Sequence, residues 1–182
     1  MELVEAIRGR RSIRKFKDRP VPRELIEEII EAGTWAPSAK NGQQWRFTVL
    51  TGEAKKGLTD AFRAALDVFI EEHGFEESGS ATYSCGIMEE APVVIIVWNA
   101  GDQGWESEIH SVAAAIQNTL LRAYDLGLGS LWIADVFYAL EAIVEHLGKP
   151  WRLTAAVAIG YPEKVGRIPQ KMGVSEVAEF LE

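Results

Sequence analysis

Cations are concentrated near the amino terminus of a chain that is otherwise acidic. Residues 8–15 read RGRRSIRK, which places five cations around one serine. A guanidinium group can bind a phosphate through two parallel hydrogen bonds, and a serine hydroxyl adds a neutral donor. The segment therefore predicts a phosphate-binding site. The alternative is an exposed basic turn that pairs with surface acids.

A second segment is rich in side-chain amides. Residues 36–45 read APSAKNGQQW and connect a predicted helix to a predicted strand. Asn and Gln offer both donors and acceptors, which suits the mixed polar edge of an isoalloxazine ring or a nucleobase. The alternative is a loop whose Asn and Ser side chains satisfy its own backbone.

Two further segments follow buried elements. Residues 125–135 (DLGLGSLWIAD) read as a helix that ends at glycine and leads into a short strand, and cations follow a predicted strand in residues 159–169 (IGYPEKVGRIP). Positive groups just past a central strand are well placed to bind a phosphate. Neither GxGxxG after a strand nor GxxxxGK[ST] occurs, so the sequence predicts neither a Rossmann dinucleotide site nor a P-loop.

The bulk properties restrict the class of protein. A net charge of -8 and a pI of about 5.0 disfavour general nucleic-acid binding. No apolar run is long enough for a membrane helix, and the first residues lack the pattern of a signal peptide. Cys85 is the single cysteine. Together these features predict a cytoplasmic protein that contacts neither nucleic acid nor membrane, in one domain spanning residues 1–182.

The histidines do not indicate a metal centre. His73, His110 and His146 have no HExxH or CxxC context. Glu106 and His110 could face one ion from a single helix, but two ligands are weak evidence for a site. We therefore predict no metal.

Hydrophobic periodicity gives a coarse order of elements. A continuous β-branched run, Val93–Trp98, predicts a strand buried on both faces. Residues 76–84 contain glycine, serine and acidic residues, which predict a mobile surface connection. Gly33 predicts the end of the second helix. Other strands are predicted at 47–51, 131–133 and 153–159, and helices at 3–7, from 23, at 54–72, 107–126 and 140–147. The order predicts a helix-rich α+β or α/β sandwich.

Taken together, the four segments resemble the flavin nitroreductase family. That family has an RRSxRxF-like opening, an APSxxNxQPWxF-like loop, an LGLGSxWI-like turn and a GYP-like strand end followed by an arginine. All four occur here in that order and cover essentially the whole chain. The resemblance implies a mostly antiparallel central sheet flanked by helices, in an intertwined homodimer with FMN at the interface.

The resemblance also implies a role for each matching residue. Arg10, Arg11 and Ser12 would hold the phosphate and ribityl region of FMN, Arg14 would lie by the pyrimidine edge, and Arg167 would bind the phosphate. Pro37, Ser38, Ala39, Asn41 and Gln43 would come from the partner subunit. Ile133, Ala134 and Asp135 would run beside the flavin, with backbone N–H groups directed at its N5 and O4 side.

The sequence departs from the family pattern at three places. Gln44 replaces the usual proline, which predicts a less rigid loop and a more polar pocket. Ala134 and Asp135 replace a frequent glycine pair, and an acid near N5 would either disfavour hydride arrival or serve as a proton donor. Val165 stands where some relatives have lysine, a position that Lys164 could serve instead.

The implied activity is a ping-pong electron transfer from NADH or NADPH through FMN to a small acceptor: a nitroaromatic, a quinone or an activated alkene. The flavin does the chemistry, so no catalytic side chain is predicted, and Arg14 tunes the cofactor. One alternative is a specialised member, a dehalogenase or flavin-processing enzyme, although such relatives are expected to need more chain than 182 residues. Another is a non-catalytic flavin-binding protein.

Overall fold

The computed structural model describes residues 2–181 and contains one four-stranded sheet. Its order is β1-β2-β4-β3, and all three pairings are antiparallel. The mostly antiparallel sheet expected from the sequence is therefore confirmed. The strands are β1 (Trp45–Leu50), β2 (Val93–Asn99), β3 (Gly129–Ile133) and β4 (Arg152–Gly160).

Helices cover both faces of the sheet. Six of them are α1 (Leu3–Gly9), α2 (Arg23–Thr34), α3 (Gly52–His73), α4 (Ala81–Glu90), α5 (Glu106–Asp125) and α6 (Leu140–Leu147). A short α7 (Val174–Val177) lies in the C-terminal segment, and 3-10 turns occupy 39–41, 75–78 and 135–139. No helix among residues 2–181 is both long and apolar enough to span a bilayer.

The core lies in two layers, one on each side of β2. Because side chains alternate along a strand, Val94, Ile96 and Trp98 pack with α3, α4 and α6. The intervening residues of β2 face α2 and α5. All seven residues of β2 are buried, as its continuous apolar run predicts.

The basic N-terminal segment is attached to the sheet. Ile13 N–H donates to the Ser130 carbonyl at 3.0 Å, and Lys17 N–H donates to the Tyr161 carbonyl at 2.8 Å. The segment thus runs from the edge strand β3 past the end of β4. Gly129 permits the close approach, since a Cβ there would lie 2.7 Å from Ile13 Cγ1.

Two local predictions are wrong. Residues 76–84 are not a loose connection, because they enter a 3-10 turn and then α4, with Ser78, Ala81 and Ser84 buried. Gly33 does not end α2 as a cap. It lies inside the helix, where a Cβ would be 2.8 Å from Thr119 Cγ2 of α5. Its small size therefore serves close helix packing.

Candidate functional site

A cleft lined by positive side chains lies where the segment around the end of α1 meets residues 168–171. This cationic cleft has a volume of about 570 Å³, and none of the described residues that line it is acidic. The end of α1, the segment after it and the C-terminal loop all contribute. The lining residues are Ile7, Arg8, Arg10, Arg11, Ser12, Ile168, Pro169 and Lys171.

Two guanidinium groups in this cleft have unused donors. The Nε atoms of Arg10 and Arg11 are buried and have no hydrogen-bond partner in the described structure. Arg11 Nη1 donates to the carbonyls of Arg8 and Arg10 at 2.7 and 2.6 Å, which fixes the group in place. A buried donor without a partner is costly, and an anionic ligand would remove that cost. The residues therefore fit a phosphate-bearing ligand.

A smaller cavity of about 90 Å³ adjoins these arginines. It is bounded by Arg10, Arg11, Ser130 and Val165, with the end of α5 at its back. The Ser130 hydroxyl is buried and also has no hydrogen-bond partner among residues 2–181. The cavity thus extends the set of unsatisfied polar atoms from the cationic cleft toward β3.

The C-terminal loop approaches the basic segment through its backbone. Glu163 N–H donates to the Lys15 carbonyl at 3.0 Å. Arg167 lies between Val165 and Ile168, which line the two cavities, although its own exposed side chain lines neither. Lys164 is likewise exposed and outside both walls.

Sequence reasoning missed two of the cations in this cleft. The sequence pattern includes Arg8 in the basic segment but gives it no role, and Lys171 lies outside the four segments. Both line the cationic cleft. The available signal for Lys171 is its place two residues after Pro169, just past the segment at 159–169 whose cations predict phosphate binding.

Arg14 lies in a different cavity from Arg10 and Arg11. This α4 cleft, of about 510 Å³, is lined by Arg14, Lys15, Phe75, Gly79, Thr82, Tyr83, Gly86, Ile87 and Glu90. The Thr82 Oγ1 atom is buried without a partner. Arg14 Nη1 donates to the Ser12 carbonyl at 3.4 Å. The two clefts therefore flank one short segment, residues 10–15.

The Asp135 carboxylate is held by α4. It follows β3 and accepts hydrogen bonds from the Ser80 hydroxyl at 2.8 Å and from the Ser84 hydroxyl. These contacts tie the turn after Ile133 and Ala134 to the start of α4. They direct the acid toward two serines and give it a structural role in this chain.

The amide-rich loop at 37–43 is fixed mainly by its own hydrogen bonds. Gln43 N–H donates to the Ser38 hydroxyl at 3.1 Å, and Ala39 N–H donates to the Ser111 hydroxyl at 3.0 Å. Gln44 is buried and its Nε2 donates to the Ala39 carbonyl at 3.4 Å. The glutamine that replaces proline thus donates back to the loop, and its buried Oε1 has no hydrogen-bond partner among the described residues.

The loop and the arginines lie near opposite ends of α5. Ser111 holds the loop, whereas Tyr124, thirteen residues later, lines the small cavity beside Arg10. At about 1.5 Å per helical residue, Ser111 and Tyr124 lie about 20 Å apart along α5. Neither cavity beside the arginines has a residue of the loop at 37–43 among its described lining residues.

Residues 7–161 match the model of the nitroreductase family. The chain belongs to that family. It is 33% identical over 172 residues to a Methanothermobacter thermautotrophicus protein described as an NADH dehydrogenase/NAD(P)H nitroreductase, covering 89% of this chain and 78% of the relative. It is also 26% identical over 174 residues to the iodotyrosine deiodinase of Thermotoga neapolitana, covering 88% and 89% of the two chains.

Solved structures of nitroreductase-like proteins share the fold. A Desulfovibrio desulfuricans nitroreductase in complex with FMN superposes with a TM-score of 0.80 at 28% identity, over 100% of this chain and 99% of that chain. A BluB-like flavoprotein of Clostridium difficile gives 0.84 at 26% identity, over the full length of both chains. The fold and family expected from the four segments are confirmed, and the family is one of flavin oxidoreductases.

Proposed function

We propose that this protein is an FMN-dependent oxidoreductase that uses NADH or NADPH to reduce an electron-poor acceptor: a nitroaromatic, a quinone or an activated alkene. The observation that carries the proposal is the cationic cleft. Its two buried guanidinium Nε atoms without partners are suited to a phosphate, in a chain of the nitroreductase family.

The phosphate and ribityl parts of FMN would occupy the cationic cleft. Arg10 and Arg11 would donate from the cleft wall, and the Ser12 hydroxyl would add a neutral donor. Lys171 also lines the cleft, and the loop that carries Lys164 and Arg167 would add further positive charge. Several positive groups around one phosphate suit the dianionic ligand.

The ring of FMN would extend along residues 10–15 toward the α4 cleft. Arg14 would then lie by its pyrimidine edge, where a cation stabilises negative charge on the ring. Backbone N–H groups of the turn at 133–135 would face the N5 and O4 side. Bound FMN would supply the redox chemistry, accepting a hydride from NAD(P)H and passing two electrons to the acceptor.

The amide-rich loop would come from a second copy of the chain. None of its described residues lines either cavity beside the arginines, which argues against closure within one chain. An exposed apolar surface supports self-association, since Leu3, Trp35 and Leu121 border a groove between α1, α2 and α5, and Trp35 is 80% exposed. In the homodimer, Pro37, Ser38, Ala39, Asn41 and Gln43 would cover the partner's FMN.

An anaerobic reduction screen tests the activity. Purified protein, reconstituted with FMN, is mixed with NADH or NADPH and then with a quinone or a nitroaromatic. We expect nicotinamide oxidation that depends on both FMN and acceptor. Retained FMN without turnover for any acceptor would indicate a non-catalytic flavin-binding protein and would contradict the proposed activity.

Reductive dehalogenation is a second candidate, favoured by one comparison. Chain length was expected to disfavour it, yet the iodotyrosine deiodinase is matched over 89% of its own length. Release of iodide from an iodinated phenol under the same anaerobic conditions would support this candidate. Turnover of quinones without iodide release would favour the first.

A further inference from the structure

The loop at 37–43 has an unusual backbone. Lys40, Asn41 and Gln43 have φ values of 51°, 53° and 46°, in the left-handed region that residues with a Cβ disfavour. Such conformations persist only where the surroundings enforce them, and they concentrate at ligand sites. Three of them in four residues indicate a loop held in one shape to present a particular side chain.

The surroundings that enforce the shape have been described above. The Ser38 and Ser111 hydroxyls accept hydrogen bonds from the backbone N–H groups of Gln43 and Ala39, respectively. The side-chain amide of Gln44 donates a hydrogen bond to the Ala39 carbonyl. Asn41 N–H also donates to the Ser38 carbonyl at 3.0 Å. These bonds fix the backbone on both sides of Lys40 and leave its side chain outside the network.

Lys40 is positioned against an indole ring. Its Nζ lies 4.4 Å from the ring centroid of Trp105, a cation–π contact just before α5. Lys40 is exposed, Trp105 is 42% exposed, and Lys40 forms no ion pair with the described carboxylates. The ammonium is thus held in place but keeps its hydrogen-bonding capacity for a ligand.

We propose that Lys40 and Trp105 select aromatic acceptors that carry an anionic group. The ammonium of Lys40 pairs with a carboxylate or similar substituent, and the exposed part of the Trp105 ring packs against the acceptor. The inference rests on the proposed function, in which this loop of one subunit covers the FMN of its partner. Neither residue belongs to the predicted FMN-contacting set.

The test compares two acceptors that differ in charge. The reconstituted enzyme is assayed with 4-nitrobenzoate and with 4-nitrobenzamide, at a saturating concentration of one nicotinamide donor. The ratio to compare is kcat/KM for 4-nitrobenzoate divided by kcat/KM for 4-nitrobenzamide. Lys40→Gln should lower this ratio about tenfold, the loss expected for one charge-assisted contact. Lys40→Arg should keep the preference, and added salt should reduce it in the native enzyme because the site is exposed.

Lys56→Gln is the matched control. It removes the same charge from an exposed position of α3, on the other face of the sheet, and should leave the ratio unchanged. An unchanged ratio in Lys40→Gln would overturn the inference, as would a variant that altered only the preference between NADPH and NADH. A native enzyme that reduced a quinone but neither nitro compound would also overturn the inference, whereas failure with the quinone as well would contradict the proposed function.

Discussion

At the residue scale, the basic segment illustrates what residue type and spacing can and cannot reveal. The clustering of Arg10, Arg11 and Ser12 correctly indicated residues that share a cavity. Spacing alone could not show that Arg14, two residues later, lines a separate cleft, because that depends on which elements pack on either side. Spacing could not predict Lys171 as a cleft residue for the same reason, since the path of the C-terminal loop determines its position.

Arg14→Ala tests the residue assigned to the pyrimidine edge. Because the side chain reaches the α4 cleft and is exposed, we expect flavin reduction to slow by about tenfold or more while dimer stability changes little. Stopped-flow reduction and thermal unfolding measure the two effects. Equal reduction rates in the variant and the native enzyme would remove Arg14 from the flavin edge.

Arg167→Ala and Lys171→Ala test the C-terminal contribution to phosphate binding. Each should weaken FMN binding, by roughly 1.5–3 kcal/mol if one charge-assisted hydrogen bond is lost. Fluorescence titration of the apoprotein with FMN gives the dissociation constants, with Lys56→Ala as the control. Unchanged FMN affinity in both variants would exclude this loop from the phosphate site.

Cys85 offers a test of pH dependence. Burial raises the pKa of its thiol from 9.0 to about 12, and the side chain lies near Thr59 and Glu89. Because the folded state holds this proton more tightly than the unfolded state, the free energy of unfolding should fall as pH rises from about 9 toward 12. Cys85→Ala should show a shallower decline in denaturant titrations across that range, although it also loses packing. An identical pH slope would contradict the assignment.

At the element scale, long and strongly patterned segments were predictable and short ones were not. The continuous apolar run of β2 and the long apolar stripe of α5 are each sufficient to predict the element. By contrast, the sequence does not predict α4, because its glycine- and serine-rich start resembles a loop. The start of this helix is stabilised by tertiary contacts, the hydrogen bonds that the Ser80 and Ser84 hydroxyls donate to Asp135. Local composition cannot report a carboxylate that lies more than fifty residues away.

Gly129→Ala tests how the basic segment is attached to β3. The new methyl would lie within 3.0 Å of three Ile13 atoms, so the segment should be displaced, with FMN affinity reduced and stability lowered by about 1–3 kcal/mol. Adding Ile13→Ala removes the Cγ1 and Cγ2 contacts and leaves the Cβ contact at 2.9 Å, so it relieves part of the clash. A double-mutant cycle should therefore show coupling between the two sites. Strict additivity would argue against the close contact.

At the scale of the whole molecule, the fold and family were predictable because four motifs occur in order along the chain. Their grouping in space was only partly predictable. The N-terminal arginines and the C-terminal loop meet within one chain, whereas the loop at 37–43 lies near the far end of α5. The family resemblance implies a second subunit, but a sequence records no distance between segments, so only the three-dimensional arrangement shows that no residue of this loop lines the cationic cleft of its own chain.

Sedimentation velocity, followed both at the protein band and at the visible FMN band, is the most direct test of the shared site. The account predicts that FMN sediments with the dimer at one cofactor per chain, and that dilution to monomers releases it. A monomer that retains FMN would contradict the shared site. A colourless protein that takes up no added FMN would contradict the whole account.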